Sequence, residues 1–536
     1  MSAETAIVDG STVAPLGPSE EEWRLDLRTV LIIFSVMLGV LLEIIDTSIV
    51  NVALPAMMGS LGATLNEIDW VITGYIIANV IIMPVTGWLA ARFGRKRYFV
   101  SSILLFTFAS LMCGLSTTAW QLILWRIVQG LGGGALVTTS QTVLVETFPP
   151  SKQGVGQAIY GIGVIVGPSL GPTLGGWLTD NASWQWIFYI NIPLGLIAAT
   201  FAATYIEDPE FLKKMRPPRV DWPGLALLII GVGALQTFLE RGHKDDWFES
   251  THIVVLASMA AFGLVALVIR ELSTEHPIVD LRVLRHRALW VGCILNTLLG
   301  VGLYGTVYLM PLFTQTMLGW GAWNSGLAVL PSSAASAAVL LVSGQLTWIL
   351  GPRPLLWFGM GSMMVALSMM SQWTTACGWD QIFWPQILRG MGTGTIGVAL
   401  STATLRALPT EQIQAGSGIY NLFRHLGGSL GIATLTTTLD HRATVHHAHA
   451  ASPVGPLSDV VYEKLQSLAS LFTQQGFDPA TANHLALRTL DRFVSVDAHV
   501  EAFQDAYVLL FVLFLLALPL PFLVAKHAPG KMKTLD

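Results

Sequence analysis

The chain has 536 residues; 53% are hydrophobic, only 12% are charged, the formal net charge is −5 and the mean hydropathy is +0.60. Soluble domains carry about twice that charged fraction, so the composition excludes a water-soluble enzyme or nucleic-acid-binding module and points to an all-α polytopic membrane protein. A closed β-barrel would show short alternating segments, whereas the apolar runs here are continuous and reach about 18–25 residues, enough to span the hydrocarbon layer.

Residues 1–27 are polar and acidic and lack a basic stretch or cleavage site, so they read as a tail, not a signal peptide. Fourteen spans then follow from apolar length and turn punctuation. A first group of six (28–57, 68–91, 98–117, 119–146, 152–179, 184–206) fills residues 28–206. Two more (222–240, 251–270) with their flanking loops fill 207–288. A second six (289–317, 324–349, 355–375, 382–405, 415–438, 505–526) fill 289–526, interrupted by a loop at 439–504 and followed by a tail at 527–536. With the N-terminus cytoplasmic, 20 of the 29 lysines and arginines fall on the cytoplasmic side, 6 on the other, and Arg126, Arg389 and Arg424 lie within spans. That bias places both termini inside, and explains the basic residues without nucleic acid. Cys113, Cys293 and Cys377 are scattered and form neither a disulfide framework nor a zinc spacing.

The first span holds "LLEIIDTSIVNVALP" (41–55), with Glu43 and Asp46 three residues apart on one helix face. A charge facing lipid costs several kcal/mol, so both carboxylates are expected to face a cavity. A coupled pair titrates as a unit and can take a proton from one side and release it to the other; the alternative is that Asp46 only hydrogen-bonds neighbouring helices. Arg126 in the fourth span needs an acid or backbone carbonyls as partner. Arg389, Arg424 and His425 are the cationic side chains of later spans, there either to contact anionic or amphiphilic substrates or to bridge helices. Tyr75, Trp125, Tyr160, Tyr304, Tyr308, Phe313, Tyr420 and Phe423 are candidates to line a cavity for apolar ligands, each equally explicable as helix packing. In the fifth span Gly163, Gly167, Gly171 and Gly175, followed by Gly176, make a smooth face for close helix packing, and Pro168 and Pro172 remove backbone donors.

The chain repeats itself. Residues 129–171 match 389–431 at a constant offset of 260, where Gly130, Gly132, Gly134, Thr142, Pro149, Gly156, Tyr160, Gly167, Ser169, Leu170 and Gly171 each meet an identical residue. "GWLAARFGRK" (87–96) has a faded copy in "GQLTWILGPR" (344–353). Spans one to six and nine to fourteen are therefore two six-helix pseudo-repeats with two inserted central helices, the plan of a transporter with a site between its halves.

Four stretches carry a family resemblance: "IDTSIVNVALP" (45–55), "GWLAARFGRKR" (87–97), "LILWRIVQGLGGG" (122–134) and "GVIVGPSLGPTLGG" (163–176). Together they resemble the fourteen-helix drug/proton antiporters of the major facilitator superfamily, of the EmrB and QacA type. The resemblance implies the major facilitator fold. It implies a loop 2–3 motif at Gly87, Arg92, Gly94, Arg95 and Lys96, and an antiporter helix at Gly163 to Gly176. It also sets the first and fourth helices side by side, so that Asp46 becomes a candidate partner for Arg126; their approach would expel a proton and their separation readmit one. Ala91 stands where the loop motif has an acid, so the usual charge relay there is not supplied and the basic residues are left to set topology. The long loop 439–504 resembles the EmrB branch, which implies a Gram-negative inner-membrane pump with a periplasmic adaptor (membrane fusion protein) and an outer-membrane channel.

Within that loop His441, His446, His447 and His449 lack cysteine or carboxylate neighbours in sequence, so no metal is assigned; they read as a solvated or adaptor-contacting segment. Leu457, Val460, Val461, Leu465, Leu468 and Phe472 follow helical spacing and predict an amphipathic helix lying on the protein, the membrane or a partner. No nucleotide-binding loop, HExxH or nucleophile elbow appears, so the chain is not expected to be an enzyme and needs no cofactor beyond the proton gradient. The expected function is proton-coupled multidrug efflux, the export of small hydrophobic or amphiphilic compounds across the inner membrane by alternating access among membrane lipids, with a narrow-specificity exporter of a fatty acid, siderophore or metabolite as the alternative.

Overall fold

A computed structural model describes residues 25–214, 219–451 and 459–524; the remaining tail residues and Leu457 lie outside it. The apolar runs become helices. The first half comprises α1 (Leu27–Leu61), α2 (Asn66–Phe93), α3 (Arg95–Gly114), α4 (Ala119–Thr147), α5 (Gln153–Asn181) and α6 (Trp186–Tyr205). The insertion is α7 (Trp222–Arg241) and α8 (Thr251–Ser273). The second half comprises α9 (Arg287–Thr316), α10 (Trp323–Leu350), α11 (Pro352–Met370), α12 (Trp379–Leu405), α13 (Ile413–Ala451) and α14 (Pro479–Ala517). Ten of these rods are long and apolar enough to cross a membrane, and α5, α11, α12 and α13, each 19 residues or longer, complete the fourteen.

Local chemistry sets the ends. Asp26 caps α1 by accepting from the Thr29 N–H at 2.8 Å, and Thr64 with Glu67 forms a capping box at the start of α2. Gly94 (φ +84°) and Gly351 (φ +81°) occupy equivalent positions before α3 and α11, so the fainter sequence echo is also a backbone echo.

Within the first half α1 packs on α5, and α2 and α3 on α4; in the second, α9 packs on α13, and α10 and α11 on α12. The halves meet along α5 and α10 and where α13 crosses α4 and the end of α2. The inserted pair is joined by backbone contact at Gly231 and Gly263, and α7 lies against both α2 and α13, touching each half.

The expected loop at 439–504 is largely helix instead. α13 runs on to Ala451, α14 begins at Pro479, and a helix at Asp459–Gln474 packs against α14 with Leu465, Leu468 and Phe472 half-buried. The side chains of Val460 and Val461 lie outside the described residues. Charged residues conceal these extensions from a hydropathy reading, yet the charges are what join them. Arg442 and His446 both donate to Asp505 (2.5 and 2.7 Å), His446 also meets Glu501 (2.8 Å), and His447 meets Asp491 (3.1 Å). The histidines therefore do have carboxylate neighbours, 44 to 59 residues away in sequence. Among the described residues no cluster could hold a metal ion.

Candidate functional site

The site is built on α1. Glu43 and Asp46 are both buried, and α5 makes that possible. A Cβ at Gly163, Gly167, Gly171 or Gly175 would collide with Val40, Ile44, Ser48 and Ile49 respectively. The glycine stripe is thus a track on which α1 lies backbone-close, carrying its carboxylates inward. Gly176 falls off the track, with only Val52 nearby; Pro168 is half-buried, and the surroundings of Pro172 lie outside the described residues.

The two carboxylates are held differently. Asp46 is saturated. Its Oδ2 accepts from Arg126 Nη1 at 2.5 Å, and its Oδ1 accepts from Gln129 Nε2 at 2.9 Å and Asn191 Nδ2 at 3.1 Å. Arg126 also donates through Nε to the Val71 carbonyl (3.1 Å) and through Nη1 to Gln129 Oε1 (2.8 Å), and lies 4.0 Å from the Tyr75 ring centroid. Asp46 therefore ties α1 to α4 and α6. Glu43 is only half engaged. Its Oε1 accepts from Asn79 Nδ2 at 2.9 Å, while Oε2 has no partner; the Tyr75 hydroxyl and Asn79 Oδ1 are likewise unpartnered. Glu43 lies within electrostatic reach of Arg424 from the other half.

A polar seam joins the halves beside this pair. Gln141 Oε1 accepts from Ser417 Oγ (2.9 Å) and Asn421 Nδ2 (2.6 Å), and Gln414 Nε2 donates to Thr139 Oγ1 (3.1 Å). Tyr160 and Asn421 bond at 3.2 Å, and Arg424 reaches the Tyr160 hydroxyl at 3.5 Å. Within the seam lies a cavity of about 30 Å³, walled by Leu299, Leu303, Leu340 and Val164 and edged by Tyr160, Tyr420 and Arg424. That is room for about one or two waters, so the central space is nearly shut.

One end of the molecule is sealed. Gly154 on α5 and Gly344 on α10 touch backbone to backbone, a Cβ on Gly87 would stand 2.9 Å from Ala415 Cα, and Gly418 abuts the Met83 carbonyl. This is the end that carries the basic α2–α3 loop. The opposite end holds a cleft of about 920 Å³ bounded by α2 (Asp69), the α7–α8 loop (Lys244, Trp247) and α13 (Asp440).

The basic loop is not short of acids despite Ala91. Buried Arg95 pairs with Glu146 at the end of α4, and Asp208 Oδ1 accepts the Lys96 backbone N–H at 2.8 Å. Asp208 also fills the space beside Gly94, where a Cβ would stand 2.9 Å from its carboxylate. Arg92 lies near the Trp88 and Phe93 rings. The charge partners come from elsewhere in the chain, so Arg95 does more than orient the loop.

Among the aromatic candidates, Tyr160 and Tyr420 edge the cavity, Tyr75 stacks on Arg126, and Tyr304 lies 5.9 Å from the His425 ring. Trp125 is not a wall of that cavity; it meets Phe108 edge-on at 5.8 Å, and Phe108 is exposed. Tyr308 is also exposed, and Phe423 packs in the second half's core. Sequence reasoning missed Asn79, Gln129, Asn191, Gln141, Asn421 and Ser417. Their signal was available: each is an amide or hydroxyl inside an apolar or small-residue run, where a polar group needs a partner.

The Major Facilitator Superfamily model matches residues 36–432. Multidrug export protein EmrB of Escherichia coli (strain K12) is 34% identical over 453 residues, covering 84% of this chain and 88% of that one. Fatty acid resistance protein FarB of Neisseria gonorrhoeae is 33% identical over 483 residues, covering 89% and 93%. Among solved structures, the human organic anion transporter MFSD10 superposes with a TM-score of 0.57 at 13% identity, covering 91% of this chain and 99% of that one. The proton:xylose symporter XylE does so at 0.56 and 14%, covering 90% and 94%. These two establish likeness of fold alone. With two six-helix halves, a family match over most of its length and relatives above 30% identity, the chain belongs to the Major Facilitator Superfamily of membrane transporters.

Proposed function

We propose that the chain is a proton-coupled antiporter that exports hydrophobic or amphiphilic compounds across the bacterial inner membrane by alternating access, both termini cytoplasmic. The observation that carries this is the buried pair on α1, one carboxylate saturated and the other half free, beside the seam between the halves. Glu43 is the proton carrier in this conformation, having an oxygen to protonate without breaking a bond. Asp46 is the latch: while it holds Arg126, α1 and α4 move together, and a proton on Asp46 substitutes for the guanidinium when they part. Sliding of α1 on the glycine track of α5 supplies the motion. With the basic end closed and the central cavity nearly shut, opening of the far end is the next step, by which a proton enters and substrate leaves. The likeness to multidrug exporters supports a broad apolar substrate range. A periplasmic adaptor and an outer-membrane channel complete the proposed pathway, with the far-end extensions of α13 and α14 as the surface offered to the adaptor.

A second reading is a narrow exporter of a carboxylate with an apolar tail. Buried Arg424 at the edge of an apolar-walled cavity favours it, as does the likeness to a fatty acid resistance protein; siderophores and other metabolites fit the same chemistry less directly.

The test is reconstitution in liposomes with an internal pH dye and an outward-directed substrate gradient, using a cationic dye, a neutral amphiphile and a fatty acid in turn. Substrate-driven proton movement in wild type, lost in Asp46→Asn and in Glu43→Gln, supports the proposal. Proton movement only with the fatty acid supports the narrow reading, and its absence with all three rejects proton antiport.

A further inference from the structure

The second half carries a lone cation where the first carries an ion pair. At the 260-residue offset Gln386 stands for Arg126, Arg389 for Gln129 and Thr306 for Asp46. The contact is preserved: Gln129 Nε2 donates to Asp46 at 2.9 Å, and Arg389 Nη1 donates to Thr306 Oγ1 at 2.8 Å. The carboxylate is not. Arg389 is 3% exposed and its Nε has no partner. Gln386, one turn earlier on the same face of α12, is 0% exposed with both amide atoms unpartnered. Tyr507 on α14 is also fully buried, its hydroxyl unpartnered, within electrostatic reach of Arg389. Among the described residues no carboxylate pairs with Arg389. It lies about 15 Å along α12 from the far end, at hydrocarbon depth.

A guanidinium keeps its charge in a protein, and a charge buried in a membrane takes a counter-ion. Here the unpartnered groups around it include three donors: the Arg389 Nε–H, the Gln386 amide and the Tyr507 hydroxyl. We infer that Arg389, Gln386 and Tyr507 hold a small inorganic monovalent anion of the chloride class, in the place that the Asp46 carboxylate fills in the first half. One guanidinium balances one negative charge, which excludes a divalent ion. The anion would tie α12 to α14, while the Thr306 hydroxyl ties α12 to α9, as Asp46 ties α1 to α4 and α6.

The test uses the full chain in detergent and follows apparent Tm in chloride, bromide and gluconate at equal ionic strength. In wild type, raising chloride from about 1 to about 200 mM in place of gluconate should raise Tm by about 2 °C or more, with bromide acting alike. Thr306→Asp supplies the missing carboxylate, and should abolish the halide dependence while keeping in gluconate the Tm that wild type reaches in chloride. Should Thr306→Asp fail to fold, Arg389→Gln and Tyr507→Phe make the same comparison, the first abolishing and the second weakening the response. Equal wild-type Tm in chloride and gluconate would mean that water alone fills the site. A halide response undiminished in Thr306→Asp or Arg389→Gln would place the anion elsewhere; either result overturns the inference.

Discussion

Glu43→Gln and Asp46→Asn, nearly isosteric changes three residues apart, are both expected to stop proton movement but to differ in their effect on stability. Asp46 accepts from Arg126, Gln129 and Asn191. Asparagine would turn an N–H₂ group toward the guanidinium or the Gln129 amide and leave a buried cation without its anion. Removing one partner of such a pair costs about 3–5 kcal/mol. Glutamine at 43 keeps the oxygen that Asn79 bonds, and its new N–H₂ replaces an oxygen that has no partner, so no bond is broken. The change should cost under about 1 kcal/mol and is as apt to stabilise. In detergent, Asp46→Asn should therefore lower apparent Tm by several degrees, and Glu43→Gln should leave it near wild type. In liposomes, Glu43→Gln should still bind substrate but abolish substrate-driven proton movement. A Glu43→Gln protein that loses as much stability as Asp46→Asn, or one that moves protons as wild type does, would refute the division of labour between carrier and latch.

Gly344→Val should hold the basic ends of the halves apart, because its side chain meets the backbone of Gly154. Transport should be lost while a cysteine placed by Ala415→Cys becomes more reactive to a membrane-impermeant maleimide; undiminished transport would show that this contact is not part of the closed gate. Glu146→Gln should strip the buried Arg95 of its partly buried partner and cost about 1–3 kcal/mol, read as a fall in apparent Tm that Arg95→Gln in the same chain does not deepen. Asp505→Asn removes the carboxylate charge shared by Arg442 and His446, and should speed amide exchange over residues 440–451 about tenfold or more, with residues 415–430 unchanged.

The features legible in the sequence were those that a bilayer makes costly. Carboxylates in an apolar run are rare, so Glu43 and Asp46 stood out, and Arg126 with them. Apolar length and turn punctuation marked the spans, so the number of helices followed. The gapless repeat exposed the two halves. What stayed hidden depended on long-range contact. Nothing local ties Glu146 to Arg95, 51 residues away, or Asn191 to Asp46, 145 residues away. Trp125 and Tyr308 show why aromatics are weak guides: a ring in a membrane helix is as welcome in lipid as in a cavity, and spacing alone does not say which face is which. The extensions of α13 and α14 were read as loop because hydropathy measures burial in lipid, whereas these segments are helices held together by their charges.

The two halves share a fold but not a chemistry, and that inequality bears on how a carrier of this kind is driven. At matching positions the first half has Asp46 and Gln129, the second Thr306 and Arg389. Only the first pair changes charge when a proton arrives. Asp46 ties α1 to α4 and α6, whereas Thr306, an uncharged hydroxyl, ties α9 to α12 whatever the pH. α1 also lies on the glycine track formed by Gly163, Gly167, Gly171 and Gly175 of α5, and its polar ties to α4 are those of Asp46 with Arg126 and Gln129 and of the Val36 carbonyl with the Ser140 hydroxyl. Under the proposed proton coupling, protonation would loosen one half and leave the other as a fixed reference. A symmetric pair of titrating sites would loosen both halves together and give the motion no direction in which to be coupled. On this argument Thr306→Asp, beyond its use in testing the anion, should make transport depend on a second titration in the second half, visible as a steeper pH dependence of export than in wild type.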